Sequence, residues 1–184
     1  MLVRLLTVLP ALALSACVLS LEPLYGDADL TFDPALVGTW KPVDEPESWK
    51  CRKSEDGAYR VVYTDERGRK GEFSVHLLSI DGKRFLDLFP VETATTRNPF
   101  YSDHWIPAHT FARVLSMTPA LKLAIFDQDW LEKLLAKQPE ALAHKIVGGH
   151  VVITAATDEV KHFLSTHADT PGAFRASAEL RKAS

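Results

Sequence analysis

The chain has 184 residues, of which 46% are hydrophobic and 24% charged, with 21 basic against 24 acidic side chains. This length and composition predict one globular domain that can bury a core of its own. The slightly acidic balance, without any basic patch or stripe, argues against a nucleic acid as a partner.

Residues 1–16 have the order of a secretory signal peptide. One cation, Arg4, precedes an apolar run, and small residues stand before Cys17. The run is too short to cross a bilayer, since a transmembrane helix needs roughly 20 apolar residues. Its end, "LSAC" at 14–17, resembles the lipobox of bacterial lipoproteins. The resemblance implies cleavage after Ala16 and a diacylglycerol on Cys17; the alternative is an ordinary signal peptide with a chance cysteine.

Lipidation of Cys17 would leave Cys51, the second cysteine of the chain, without a disulfide partner. We therefore predict no disulfide and a buried thiol at Cys51 that acts as a small hydrophobic residue. Several acyl chains make a firm membrane anchor. In diderm bacteria a residue other than Asp after the lipid site, here Val18, goes with the outer membrane. The resemblance thus implies a cell-envelope lipoprotein that faces the periplasm from the outer membrane.

The segment 17–34 holds the lipid site and then a stretch with two prolines, one glycine and no single hydrophobic period. These features predict a tether between the membrane and the domain. The part around Leu30 and Phe32 has the alternative of packing onto the domain. Residues 35–184 are predicted to form a single domain.

Short strands separated by turn signals follow from residue 36 onward. Tyr59, Val61 and Tyr63 alternate with neighbours on the other face, which is the period of a half-buried strand. "DGK" at 81–83 predicts a tight turn between two strands. Consecutive hairpins of this kind predict an antiparallel meander. The predicted strands lie in "LVGTWKPV", "SWKCRKS", "AYRVVYTD", "GEFSVHLLSI", "RFLDLFPV", "HTFARVLSM", "ALKLAIFD" and "GGHVVITA".

Two later segments change to the helical period. The first, "DQDWLEKLLAKQP" at 127–139, has Asp127 as N-cap and stops at Pro139. The second, "TDEVKHFLSTH" at 157–167, places Val160, Phe163 and Leu164 on one face. The tail beyond Pro171 is predicted to be a further short helix. About eight strands with a late inserted helix and a C-terminal helix predict a mainly β fold, an antiparallel barrel with accessory helices.

The motif "VGTW" at 37–40 opens the first of these strands. A Gly-x-Trp at this place, followed by a meander and a C-terminal helix, resembles the lipocalins and their calycin relatives. In that family the glycine lets the chain pass close to its neighbours and the tryptophan plugs the closed end of the barrel. The resemblance therefore implies structural roles for Gly38 and Trp40. The late arginine that stacks on the tryptophan in that family is not assigned to any residue here.

The first functional hypothesis is a barrel that binds a small apolar or amphipathic ligand. Eight strands enclose an interior that is filled by side chains or just wide enough for one small molecule. Asp87 shares a strand face with Phe85 and Phe89, which makes it a candidate ligand contact, although such a carboxylate more often bonds to a neighbouring group. The sequence has no Gly-rich phosphate loop, and we predict no cofactor.

The second hypothesis is an envelope protein that acts through its surface, with a barrel filled by side chains. The stretch "ETATTRNPFYSDHWIP" at 92–107 reads as a long loop, and such loops in compact domains are usually functional or mobile. It carries Phe100, Tyr101 and Trp105, and aromatic side chains are typical anchors of protein interfaces.

The third hypothesis is a metal-dependent enzyme that uses Asp103, His104 and His109. Imidazole and carboxylate groups are zinc ligands, and three of them make an open catalytic site. Their spacing matches no known helix-borne pair, and Pro107 prevents a regular element between the histidines. We therefore predict that the protein is not an enzyme and that these residues bind no metal.

Overall fold

The computed structural model describes residues 17–55, 57–91 and 106–183. Its strands are β1 (Leu19–Ser20), β2 (Leu30–Thr31), β3 (Gly38–Pro42), β4 (Ser48–Lys53), β5 (Tyr59–Thr64), β6 (Lys70–Ile80), β7 (Lys83–Pro90), β8 (Thr110–Ser116), β9 (Leu121–Phe126), β10 (His144–Val147), β11 (His150–Ile153) and β12 (Phe174–Lys182). Its α-helices are α1 (Gln128–Lys137) and α2 (Thr157–His167), and short 3-10 helices lie at Asp27–Asp29, Pro34–Leu36 and Pro139–Ala141.

Eight strands close into an antiparallel barrel. From β3 to β9 each strand pairs with the next one along the chain. The ring is completed by β12, which pairs with β9 on one side and with β3 on the other. The order is that of a simple meander. This confirms the predicted fold class, a mainly β barrel with accessory helices.

The interior of the barrel is filled by apolar side chains. Successive residues of a strand point to opposite faces, so every second residue enters the interior. The buried interior side chains are Leu36, Trp40, Cys51, Tyr59, Val61, Val75, Leu77, Leu86, Ala112, Val114, Met117, Leu121 and Leu180. One end of the barrel, where β3 and β5 begin, is called the closed end here. There the hydroxyl of Tyr59 accepts a hydrogen bond from the Asp33 amide at 2.7 Å and donates to the Asp33 carbonyl at 3.0 Å, which holds the segment before Pro34–Leu36 against the barrel.

A second core lies on the outer face of the barrel wall. There α1, α2 and a small sheet, in the order β1-β11-β10, cover outward-facing side chains of β6 to β9. Neighbouring residues therefore enter different cores: Leu77 points into the barrel while Leu78 points into the outer core. The outer core contains Val18, Leu24, Leu78, Ile80, Phe85, Phe111, Phe126, Leu131, Leu135, Leu142, Val151, Ile153, Ala155, Val160, Phe163, Leu164 and Ala168.

The last strand of the barrel comes from a different segment than the sequence predicts. The predicted strand at 148–155 contains β11, which pairs with β10 and β1 in the side sheet rather than in the barrel. The tail, predicted to be a helix, forms β12 after α2. Its Ala, Glu, Arg and Lys residues favour a helix in isolation, but the free edges of β3 and β9 offer hydrogen bonds that only a strand can complete.

Residues 17–34, predicted as a tether, lie against the barrel in the structure. Within this segment β1 pairs in parallel with β11, and β2 pairs with β6. Val18 and Leu24 are buried in the outer core, with 2% and 0% of their surface exposed. The physical reason is that the outer faces of β6 to β8 are apolar and need a cover, which this segment provides.

Replacing Gly38 with alanine is expected to lower the free energy of unfolding. The φ of Gly38 is +144°, and a Cβ there would stand 2.5 Å from Cε of Lys182. We expect a loss of about 2 kcal/mol, measured by urea unfolding with tryptophan fluorescence. Gly68, with a φ of +76° and nothing within 4 Å of the added Cβ, is the control. Its alanine variant should lose only about 1 kcal/mol, because a φ of +76° lies closer to the left-handed region than one of +144°, and equal losses would contradict a larger backbone strain at Gly38.

Candidate functional site

Trp40 lies in the interior near the closed end of the barrel. It is 3% exposed, and its indole Nε1 donates a hydrogen bond to the Leu36 carbonyl at 2.8 Å. The Lys182 ammonium lies 5.3 Å from the centre of its ring, close enough for a cation–π contact. Lys182 thus links the last strand, β12, to the tryptophan of the first barrel strand. No short motif in the sequence marks this lysine, and the segment that carries it is predicted to be a helix and not a barrel strand.

The opposite end of the barrel, called the mouth here, is lined by half-buried apolar side chains. It is the end where β4 and β6 begin and where β5, β7 and β9 finish. Its inward-facing residues are Trp49, Tyr63, Phe73, Leu88 and Ile125. The rings of Trp49 and Tyr63 lie 4.4 Å apart. These side chains keep part of their surface exposed, whereas the interior beyond them is buried.

A carboxyl group adjoins the aromatic pair of the mouth. Burial, with a further contribution from the nearby Glu45 carboxylate, raises the pKa of Glu47. A hydrogen bond with the Tyr63 hydroxyl opposes this shift. The pKa of Tyr63 is itself raised, first by burial and then by the negative charge of Glu47. The mouth therefore combines aromatic rings with polar groups at its edge, which suits an amphipathic molecule.

Asp87, the predicted ligand contact, lies on the outer face of the barrel rather than at the mouth. It is 0% exposed. One carboxylate oxygen accepts a hydrogen bond from the Leu24 amide at 2.7 Å, and the other lies 2.6 Å from Nδ1 of His109. The segment that begins at Cys17 covers this pair. A ligand could reach Asp87 only after that segment had moved away.

His109 and Asp87 form a carboxylate–imidazole pair of the kind that hydrolases use. Ser20 is adjacent, since its backbone exchanges two hydrogen bonds with that of His109, at 3.0 and 2.8 Å. However, the Ser20 hydroxyl donates to the Glu22 carbonyl at 2.7 Å, and Ser20 is 0% exposed. These contacts indicate a structural role for the cluster, in which it holds the N-terminal segment against the outer face of the barrel.

The residues of the other two hypotheses lie mostly outside the described part of the chain. Asp103 and His104 of the metal hypothesis lie there, and so do the interface candidates Phe100, Tyr101 and Trp105. Among the described residues, no group of three or more His, Cys, Asp or Glu side chains is placed to hold a metal ion.

The two thiols differ in their surroundings. Cys51 is 8% exposed inside the barrel, as the sequence predicts for a buried hydrophobic residue, and burial raises its pKa to about 11. Cys17 is half-buried, and burial raises its pKa as well. The backbone of Cys17 forms an antiparallel bridge with Asp127, directly after β9. The predicted lipid site is thus part of the folded domain.

A surface groove of about 750 Å³ lies on the helical side of the molecule. Leu142 and Phe163 contribute apolar surface, and Glu140 and Asp158 contribute carboxylates. Burial lowers the pKa of His167, which also lines the groove. The acidic side chains suit a cationic group, whereas the mouth offers aromatic surface to an apolar one.

Comparison of the chain with protein-family models, curated proteins and solved structures finds no match. Across residues 17–55, 57–91 and 106–183, no helix is long and apolar enough to cross a bilayer.

Removing the Asp87 carboxylate is expected to loosen the N-terminal segment. In Asp87→Ala the Leu24 amide and the His109 ring lose a buried partner, which should cost about 3 kcal/mol of unfolding free energy. Hydrogen exchange at the Leu24 amide should accelerate as well. Asp169, an exposed carboxylate that pairs with Arg113 and Lys83, is the control. Asp169→Ala should leave both measurements nearly unchanged, and a similar result for Asp87→Ala would contradict the structural task of the pair.

Proposed function

We propose that this protein is a lipid-anchored envelope lipoprotein whose barrel binds one small apolar or amphipathic molecule at the mouth. The observation that carries the ligand proposal is the set of half-buried residues at the mouth, with Trp49, Tyr63 and Phe73 as its aromatic members. Apolar side chains with a few placed polar groups are the usual lining of small-molecule sites.

The filled interior limits the size of this ligand. Side chains from Trp40 to Leu180 occupy the barrel beyond the mouth. An eight-stranded barrel holds at most one small molecule in the space that its side chains leave. The proposed site therefore consists of half-buried side chains at the mouth, where Trp49 and Tyr63 offer aromatic rings and Glu47 offers a polar contact.

The anchor proposal rests on the signal-like residues 1–16 and on "LSAC" at 14–17. Cys17 is half-buried and its backbone pairs with that of Asp127, so acyl chains on its sulfur would be attached directly to the folded domain. Attached there, they would hold the barrel directly against the bilayer, since the residues that follow pack onto the domain. The predicted location is the outer membrane of a diderm envelope, on its periplasmic side.

A second candidate function is a protein-interaction module without a bound small molecule. The observation in its favour is the dense interior, where Tyr59 and Leu77 are 1% and 2% exposed. Such a barrel would act through its surface, and the sequence places candidate contacts at Phe100, Tyr101 and Trp105.

Native mass spectrometry of residues 18–184, exported to the periplasm and purified without detergent, separates the two functions. We expect a reproducible extra mass that vanishes under denaturing conditions. Trp49→Leu removes a ring from the mouth and should reduce the occupied fraction several-fold. Phe32→Leu removes a ring that stacks on Tyr59 outside the mouth, and it should leave occupancy unchanged.

A bare polypeptide mass for the unaltered sequence would contradict ligand binding and favour the interaction module. Equal loss of occupancy in the two variants would instead show that the ligand site is not at the mouth. Thermal unfolding of each variant checks that any lost occupancy does not come from lost structure.

The lipid anchor has its own test. The full chain, produced in a diderm bacterium, should carry a diacylglycerol mass on Cys17 and partition with membranes. Cys17→Ala should abolish both, because the thioether has no other sulfur at the cleavage site. Cys51→Ala is the matched control and should retain the lipid. A mature Cys17 without added mass would contradict the anchor.

A further inference from the structure

The hairpin formed by β10 and β11 exposes apolar side chains at its tip. Ile146 and Val147 are each 60% exposed. They precede the turn Gly148–Gly149, where both glycines have a positive φ. β10 is also the outer strand of the side sheet. Because successive strand residues point to opposite faces, Ile146 and Val147 give the tip of the hairpin apolar surface on both of its faces.

This tip lies beside the proposed lipid site. The Gln128 side chain donates to the Gly149 carbonyl at 3.1 Å, and its oxygen lies 3.1 Å from Nδ1 of His150. The residue before Gln128 is Asp127, whose backbone bridges to Cys17. The turn of the hairpin and Cys17 therefore contact two consecutive residues at the start of α1, Gln128 and Asp127 respectively.

The strand register gives the same arrangement. β1 runs parallel to β11, with Leu19 opposite Val152. If this register is continued two residues before Leu19, Cys17 lies opposite His150, the residue directly after the turn. Adjacent strands are about 5 Å apart, so β10 and its tip lie roughly 10 Å from Cys17. An acyl chain on Cys17 and the side chain of Val147 would thus meet the same membrane surface.

The charge of the hairpin suits a bilayer with anionic headgroups. Between residues 144 and 153 the sequence contains one lysine, two histidines and no acidic residue. Lys145 is exposed, and it lies on the same face of β10 as Val147, two residues further on. A lysine can place its ammonium among the headgroups while its methylene groups follow the apolar residues beside it.

We propose that the tip of this hairpin, with Ile146 and Val147, inserts into the bilayer interface next to the lipid on Cys17. This inference rests on the proposed lipid anchor and extends it from an attachment point to an oriented surface. The occupant is the membrane and not a second chain. The proposed lipid on Cys17 brings the bilayer to this position, the apolar tip suits its acyl region, and the lysine suits its headgroup region.

The test uses the full lipidated protein, purified and reconstituted into vesicles of phosphatidylethanolamine with a minority of phosphatidylglycerol. Val147→Cys carries an environment-sensitive fluorophore, and spin-labelled lipids act as quenchers. Near neutral pH the label reaches only the new thiol, because Cys51 is buried and lipidated Cys17 has none. Leu115→Cys is the control, since Leu115 is 50% exposed and lies at the other end of β8 from the mouth.

We expect the probe at 147 to shift to shorter emission wavelengths and to be quenched several-fold more strongly than the probe at 115. Weak and equal quenching at the two sites, with the lipid mass present on Cys17, would overturn the insertion and leave the anchor standing. Absence of the lipid mass would overturn the anchor and the insertion together. An emission shift at 147 that occurs without vesicles would show that a protein surface covers the hairpin instead.

Discussion

The closure of the barrel depends on the pairing of β12, at the end of the chain, with β3. Lys182 connects the two strands to the closed end, since it lies over the Trp40 ring and donates to the Ala35 carbonyl, 147 positions away in sequence. Without β12, β3 and β9 would each present a row of unpaired backbone groups, which favours association with other chains. Bringing β12 back to β3 closes a long stretch of chain, which costs conformational entropy. The strand pairing and the contacts of Lys182 must therefore offset this cost together.

A second core covers part of the outer face of the barrel. Strands under that core carry apolar residues on both faces, whereas strands outside it alternate between apolar and polar residues. β7 is buried on both faces, with Phe85 in the outer core and Leu86 in the interior. β4 meets water on its outer face and alternates between Cys51 inside and the exposed Arg52. A polar side chain on a strand that is buried on both faces needs hydrogen-bond partners inside the protein. On β7, the Asp87 carboxylate has the His109 ring and the Leu24 amide as partners. The N-terminal segment is thereby part of the outer core.

Most of the barrel could be predicted from the sequence because its hairpins are local. Strand period and turn residues sufficed for β3 to β9, and the N-cap Asp127 with Pro139 sufficed for α1. The sequence could not predict that β11 joins the side sheet and that β12 closes the barrel. The sheet that each strand joins depends on which free edge it meets after the chain has folded back. The position of Asp87 shows the same limit. The sequence pattern puts it on a face with Phe85 and Phe89, but only the tertiary structure shows that residues from the start of the chain cover this face.

The proposed anchor and the proposed ligand site lie at the same end of the barrel. Cys17 bridges to Asp127, and only Phe126 separates Asp127 from Ile125 at the mouth. Since the residues after Cys17 pack on the domain, a lipid there would hold this end near the bilayer without a free tether. Under that anchoring, an amphipathic molecule that moved between the membrane and the mouth would cross little water, which would remove most of the hydrophobic penalty of its transfer. Under the proposed anchoring, the apolar character of the mouth and the position of Cys17 thus favour the same class of ligand, one that partitions into membranes.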